Sequence, residues 1–330
     1  VYYVFVGIVA VAMYATVKDL VVDEIFHVPQ LQEYCKNSLN YNNKITTPPG
    51  LYVTTWLWFK LLNSFVNWEC TLGLARATNV VYGIMMPVII QKILKDRDAA
   101  VESSLFPPSF FFHFLYYTDS GSVFWVLCSF LQAQKKRYTI AALCSFISIW
   151  YRQTNVIWML FITGYSVAMM QINRRRGDII SYIQFITNNP ILIVQKLWGF
   201  IMNGIMFACF IYWNEGIVIG DKMNHVVAIH IPQIYYFSVF AIFFSWDYHL
   251  IFKAVKRIRP IDLIFMMVMA WTVLEYTIEH PFLLADNRHF SFYIWRWFFK
   301  GNILMRLLVV PLYFLALTGM FIKMSKHCSI

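Results

Sequence analysis

Long apolar runs separated by short polar loops set the rhythm of this chain, and the runs are too uniformly apolar to be the one-sided stripes of a soluble helical bundle. Read in order they predict ten membrane crossings, near residues 1–17, 72–94, 104–118, 121–134, 138–151, 154–172, 190–213, 231–247, 261–278 and 303–322. Several fall short of the roughly 20 residues that a hydrocarbon core asks of one helix. The pair around Tyr117 and Gly121 therefore reads either as two crossings or as a tight, partly re-entrant hairpin. Residues 50–66 are apolar too, yet a crossing there would put the Lys95 loop on the wrong side. The segment Leu51–Trp58 is accordingly laid along the interface, where Trp and Tyr belong, with a true crossing as the alternative. The result is an all-α, polytopic membrane protein. Its first non-cytoplasmic loop, residues 18–71, carries interfacial helices.

Composition agrees. Charged residues make up 13% and apolar ones 59% of the 330 residues, against about 25% charged in ordinary soluble domains. The net charge of +10 does not point to nucleic acid, because the cations sit in short loops between apolar runs, as the positive-inside rule requires. The five clusters are Lys92, Lys95 and Arg97; Lys135, Lys136 and Arg137; Arg174, Arg175 and Arg176; Lys253, Lys256, Arg257 and Arg259; and Lys323 with Lys326. The opposite loops gather most of the acids, together with Asn, His, Gly and Tyr. The chain begins with Val and stops soon after a crossing, so it reads as a single domain shortened at its C-terminus, with no cleavable signal peptide. Cys35 and Cys70 share the first loop and are either bridged or two free thiols. No Cys or His spacing suggests a metal site.

Candidate chemistry lies on the acidic face. Asp23 and Glu24 follow the first apolar run. Carboxylates there can be helix caps, but a helix starting at Asp23 places His27 four residues on, with Gln30 and Tyr34 continuing the stripe and Pro29 either kinking the helix or opening a new one. Asp119 lies in Tyr116–Ser122, as a cap of the next helix or a site carboxylate, and Arg152 stands between two apolar segments, where a guanidinium is costly unless it snorkels to the interface, is paired or holds an anion such as phosphate. The loop Gly216–Asp221, whose glycines lack a phosphate-cradling spacing, presents Asp221, Lys222 and His225. Asp286, Asn287, Arg288 and His289 are consecutive, and the aromatics after them read as an interfacial belt or a sugar-stacking platform.

Taken together, Asp-Glu-Ile-Phe-His at 23–27, Ile45-Thr46-Thr47 with Pro49-Gly50-Leu51-Tyr52, Phe114 to Thr118, Arg152-Gln153-Thr154-Asn155, Gly216 to Asp221 and Leu283 to His289 resemble the motifs of the dolichyl-phosphate-glucose-dependent alpha-1,2-glucosyltransferases of the endoplasmic reticulum. Those enzymes add the third, terminal glucose to the lipid-linked oligosaccharide of Asn-glycosylation. The resemblance implies a GT-C type fold and inversion at the anomeric carbon of a beta-linked donor, with no metal and no cofactor. Its partners would be dolichyl-phosphate-glucose, the dolichyl-diphosphate-linked oligosaccharide and membrane lipid. A multi-pass location in the endoplasmic-reticulum membrane follows. An inverting displacement needs a carboxylate base at the acceptor hydroxyl and a cation at the departing phosphate. The roles expected are Asp23 as base, with Glu24 as its alternate or an acceptor ligand; Arg152, Arg288 and His289 at the donor phosphate; and His27, Asp119, Asp221, His225, Asp286 and Asn287 at sugar hydroxyls. A late Arg-Tyr-bearing lumenal motif of that family is absent. The alternative, which the resemblance also allows, is a non-catalytic membrane regulatory subunit that modulates a potassium channel, or an inactive truncated form.

Overall fold

The computed structural model describes residues 1–65, 69–172, 179–224, 228–279 and 290–328. Every regular element among them is helical. The chain divides into two compact units, Val1–Lys222 and Met223–Ile330. Among the described residues three helical stretches are long and apolar enough to cross a bilayer alone: Leu72–Leu94, Pro190–Asn214 and Ile303–Ser325. At 1.5 Å per residue the shortest reaches roughly 35 Å, enough for a ~30 Å hydrocarbon core. The other described apolar segments are shorter helices or are broken into pieces.

In the first unit, α1 (Tyr2–Thr16) is followed by the first loop, which is helical as expected. Two helices fill it, α2 (Glu24–Cys35) and α3 (Gly50–Asn63). Pro29 lies inside α2, so the proline neither ends this helix nor begins a second one. On α3, Leu51, Tyr52 and Thr55 are fully buried. Its N-terminus abuts the end of a later helix so closely that a Cβ on Gly50 would lie 2.4 Å from the Trp150 carbonyl oxygen. A Cys35–Cys70 disulfide, with Cα atoms 6.4 Å apart, ties the end of α2 to the start of α4 (Leu72–Leu94). The alternative of two free thiols is thereby set aside.

The span expected at 104–118 is not one helix. Asp96 caps α5 (Arg97–Ser104), accepting bonds from the amides of Asp98 and Ala99, and Pro107 and Pro108 then open the six-residue α6 (Pro107–Phe112). Proline tolerates the first helical turn but removes a donor further in, which explains the break. Residues 113–117 run irregularly back to α4, where the Asn79 side-chain amide donates to the carbonyls of Leu115 (2.6 Å) and Tyr117 (2.7 Å). Buried irregular backbone survives only where protein supplies its partners, and Asn79, itself fully buried, supplies two of them.

The helices α7 (Thr118–Gln134) and α8 (Tyr138–Tyr151) form a close hairpin. Small residues allow that approach: the Ser129 hydroxyl reaches both the Ser145 hydroxyl (2.7 Å) and the Ala141 carbonyl (2.8 Å). Gly121 faces the Tyr151 ring, which a Cβ would meet at 2.2 Å. A 3-10 turn at Gln153–Asn155 leads into α9 (Val156–Ile172), then α10 (Ile179–Asn188) and α11 (Pro190–Asn214). In the second unit, α12 (Gln233–Phe244), α13 (His249–Val255) and α14 (Asp262–Tyr276) precede short helical turns and the last helix, α15 (Val310–Cys328). Its core gathers Tyr235, Met269, Val273, Tyr313 and Phe314.

Candidate active site

The loop after α1 is held by one buried ion pair. Glu24, fully buried at the first position of α2, faces Arg76 in the second turn of α4, itself only 6% exposed. Arg76 Nε donates to Glu24 Oε1 (3.0 Å) and Nη2 to Oε2 (2.6 Å), while two backbone amides complete the set, Tyr116 N–H to Oε1 (2.7 Å) and Val21 N–H to Oε2 (2.9 Å). Both carboxylate oxygens are thus engaged twice. Arg76 also donates to the carbonyls of Val17 and Asp19. One charge pair therefore fastens residues 17–24, α4 and the irregular 113–117 segment at a single point.

That fastening sets out Asp23 quite differently from its neighbour. Asp23 is the N-cap of α2, yet its carboxylate makes no capping bond, and the residue is exposed. Its amide donates to the Tyr117 hydroxyl at 2.8 Å. The preceding Val22 has φ +49°, a left-handed conformation that costs a β-branched residue energy. The simple cap reading fails on geometry, and the strain falls on the residue beside the exposed carboxylate.

His27 sits one turn on, its amide bonded to the Asp23 carbonyl (3.1 Å). Its Nδ1 pairs with the Tyr52 hydroxyl at 2.6 Å, and its ring lies edge-on to Tyr117. Burial, reinforced by the Arg152 charge and only partly opposed by Glu24, lowers its pKa from 6.5 to about 4. The imidazole is neutral at any physiological pH, suited to exchanging hydrogen bonds rather than neutralising an anion. Gln30, expected on the same stripe, turns away to bind the Asn40 carbonyl and the Asn42 amide.

The next cluster is built where α8 ends. Arg152 adopts an extended conformation between Tyr151 and the 3-10 turn. Its Nε donates to the Thr118 hydroxyl (2.8 Å) and its Nη2 to Asp119 Oδ2 (2.9 Å), with the two charged side chains 40% and 25% exposed. The arginine is therefore paired and still partly open to solvent. Asp23, Glu24 and Asp119 all lie within electrostatic reach of the Tyr117 phenol. The fold thus gathers Asp23, Glu24, His27, Asp119 and Arg152 around Tyr117 from three separate stretches of sequence.

Asp221 belongs to an adjoining contact. Its amide donates to the Asn43 carbonyl (2.9 Å), Ile219 N–H to the Thr46 carbonyl (3.3 Å), and the Gln153 amide side chain to the same Thr46 oxygen (2.9 Å). Gly220 is required there, since a Cβ would stand 2.3 Å from the Asn43 carbonyl oxygen. Next to this junction an apolar cavity of about 400 Å³ opens between Pro48, Pro49, Trp150, Gln153, Phe207 and Ile219. Lys222 donates to the Asn214 carbonyl. His225, Asp286, Asn287, Arg288 and His289 lie outside the described residues. Among the described residues no cluster of His, Cys, Asp and Glu could hold a metal ion.

The DIE2/ALG10 family matches residues 17–330 of this chain. The chain belongs to that family. The match begins just ahead of the Asp23 loop and covers every motif that meets around Tyr117. The chain is similar to a Debaryomyces hansenii protein named Dol-P-Glc:Glc(2)Man(9)GlcNAc(2)-PP-Dol alpha-1,2-glucosyltransferase, 32% identical over 90% of this chain and 71% of the relative. Proteins of the same name from Homo sapiens (29% identical, 89% of this chain, 73% of the relative) and Arabidopsis thaliana (31%, 88% and 75%) are also similar to it. No solved structure matches.

Sequence reasoning missed the residues of this family member that hold the site rather than face its substrate. Arg76 carried a usable signal, a lone arginine inside an apolar run, which is expensive unless it has a buried partner. Asn79 carried none, and Tyr52 and Tyr117, although inside the quoted motifs, had no role assigned, because tyrosines and asparagines are common at interfaces. Only their contacts distinguish them.

Proposed function

We propose that this chain transfers glucose from dolichyl-phosphate-glucose to the terminal glucose of the dolichyl-diphosphate-linked Glc2Man9GlcNAc2 oligosaccharide. The product is an alpha-1,2 linkage formed with inversion, at the lumenal face of the endoplasmic-reticulum membrane. Family membership and the names of relatives similar over about nine-tenths of the chain support the reaction. The observation that carries the assignment of roles is the division of labour between two adjacent carboxylates: Glu24 is buried, each of its oxygens accepting two bonds, and Asp23 is exposed to solvent.

In this reading Asp23 accepts the proton of the acceptor 2-hydroxyl as that oxygen bonds to the glucose anomeric carbon. The bond from that carbon to the phosphate oxygen breaks, and dolichyl phosphate leaves with the electron pair. A phosphate leaving group needs no proton from a general acid. Arg152 takes the donor phosphate with the part of its guanidinium that faces solvent, held in place by Thr118 and Asp119. Asp119, His27 and Asp221, with His225, Asp286 and Asn287, serve sugar hydroxyls, and Arg288 and His289 assist at the phosphate. Glu24 is a positioning residue. The apolar cavity beside Gln153 receives the first isoprene units of the donor. The architecture belonging to this reading is a GT-C type, single-domain enzyme of about ten crossings.

The test is glucose transfer by purified protein carrying Asp23→Asn. Turnover should collapse with donor affinity nearly unchanged, while Glu24→Gln should lower the amount of folded protein instead. Full turnover in Asp23→Asn would take the base role from Asp23, and full turnover in both variants would remove this loop from the chemistry.

A further inference from the structure

The second unit holds a cavity that the glucosyl-transfer reading does not use. It measures about 740 Å³ and lies where α13 ends against α15. Two chemistries meet in it: Lys256, Arg257 and Arg259 follow α13, and Phe314, Phe321 and Ile322, with Thr318 and Ser325, come from α15. The only acid among its described lining residues, Asp262, is spent locally: it accepts the Arg259 amide (2.7 Å) and approaches the Arg259 guanidinium at 3.6 Å. The nearby Lys323 is taken by Asp247. Lys256 and Arg257, by contrast, form no ion pair among the described residues. Exposed apolar groups continue the greasy wall outward, with Ile258, Ile261 and Phe321 between 46% and 62% exposed.

We propose that this cavity is a binding site for an anionic phospholipid of the cytoplasmic leaflet. Its headgroup phosphate sits between Lys256 and Arg257, and an acyl chain lies along Phe321, Phe314 and Ile322. Positive charge in a cytoplasmic loop is by itself only a topology signal. The additional observation is concave: two unpaired cations, a third whose acid partner is shared with a backbone amide, and an aromatic wall line the same space. A basic pocket opening beside transmembrane helices suits a phospholipid headgroup, whose charge and chain are recognised together. A soluble anion would use the cations and leave the aromatic wall idle.

The full chain purified and reconstituted in phosphatidylcholine nanodiscs, with phosphatidylserine titrated in, tests this by native mass spectrometry of the retained lipid. Wild type should retain one phosphatidylserine at low mole fraction. Lys256→Ala/Arg257→Ala should weaken retention about 30-fold, from roughly 5-fold per cation, and Thr318→Trp, which fills the space without touching charge, should abolish it. Lys135→Ala/Lys136→Ala, removing an equal charge from another basic loop, should leave retention unchanged. Three results would overturn the proposal: no retained phosphatidylserine in wild type, equal loss in the Lys135/Lys136 variant, or retention that survives Thr318→Trp. Because no residue of the Asp23 site is altered, the outcome stands apart from whether glucose transfer is confirmed.

Discussion

Substituting Glu24 by Gln separates a structural carboxylate from a catalytic one, and the geometry says what it should cost. Four donors converge on Glu24, two on each oxygen: Arg76 Nε and the Tyr116 amide on Oε1, Arg76 Nη2 and the Val21 amide on Oε2. A glutamine amide keeps one oxygen and puts an NH2 where the other stood. Two of the four donors then face a donor, and the Arg76 charge, 6% exposed, loses its counter-ion. Removing one partner of a buried pair typically costs about 3–5 kcal/mol, a large share of a total stability of about 5–15 kcal/mol. Arg76→Met should cost a similar amount for the complementary reason. Combining Glu24→Gln with Arg76→Met leaves no uncompensated charge, and should recover part of the loss, short of full recovery because the glutamine NH2 still faces one of the Tyr116 and Val21 amides. Thermal unfolding of detergent-solubilised protein across this double-mutant cycle, with coupling above about 2 kcal/mol, is the measurement. Additive effects, or a Glu24→Gln protein that unfolds like wild type yet transfers no glucose, would refute the structural role and hand the base function to Glu24.

Four further outcomes are expected. Asp23→Asn should lose about 100- to 10,000-fold in turnover, the usual worth of a general base, with an unfolding midpoint within a few degrees of wild type. Arg152→Ala should lower kcat/KM for the donor by about 10- to 100-fold, as the loss of a charge-assisted bond to phosphate implies, whereas Arg152→Lys should recover only part, having no planar fork; equal activity in all three proteins would exclude Arg152 from the donor site. Non-reducing peptide mapping should recover Cys35 linked to Cys70, and Cys70→Ser should destabilise by roughly 4 kcal/mol on the chain-entropy account of a loop this long. His27 should make the fold acid-sensitive: the unfolded imidazole takes a proton near pH 6.5 while the folded one refuses it until about 4. Its contribution is complete above pH 6.5 and declines as pH falls from 6.5 to 4. Comparing unfolding at pH 7.5 and 5 should show wild type losing more than His27→Gln, and parallel losses would count against a buried neutral His27.

Local chemistry made some of this protein legible in one dimension. Apolar runs with basic loops between them announce membrane helices, because hydrocarbon tolerates neither charge nor unpaired backbone. The helical first loop was readable from its own composition, and Asp23, His27 and Arg152 stood out as polar groups in an apolar setting. The sequence could not rank Asp23 against Glu24. The two are adjacent, chemically near-identical and equally plausible as caps; only the arrival of Arg76 from 52 residues away and of the Tyr116 amide from 92 buries one and leaves the other exposed. Likewise the apolar stretch at 104–118 carries hydropathy enough for a crossing, but whether it runs as one helix depends on Pro107, Pro108 and on Asn79 in another helix standing ready to donate to its carbonyls. Hydropathy is a sum over neighbours in sequence and so survives translation into one dimension. Hydrogen-bond satisfaction and burial are properties of neighbours in space, and for Glu24, Arg76 and Asn79 the tertiary structure alone decided them.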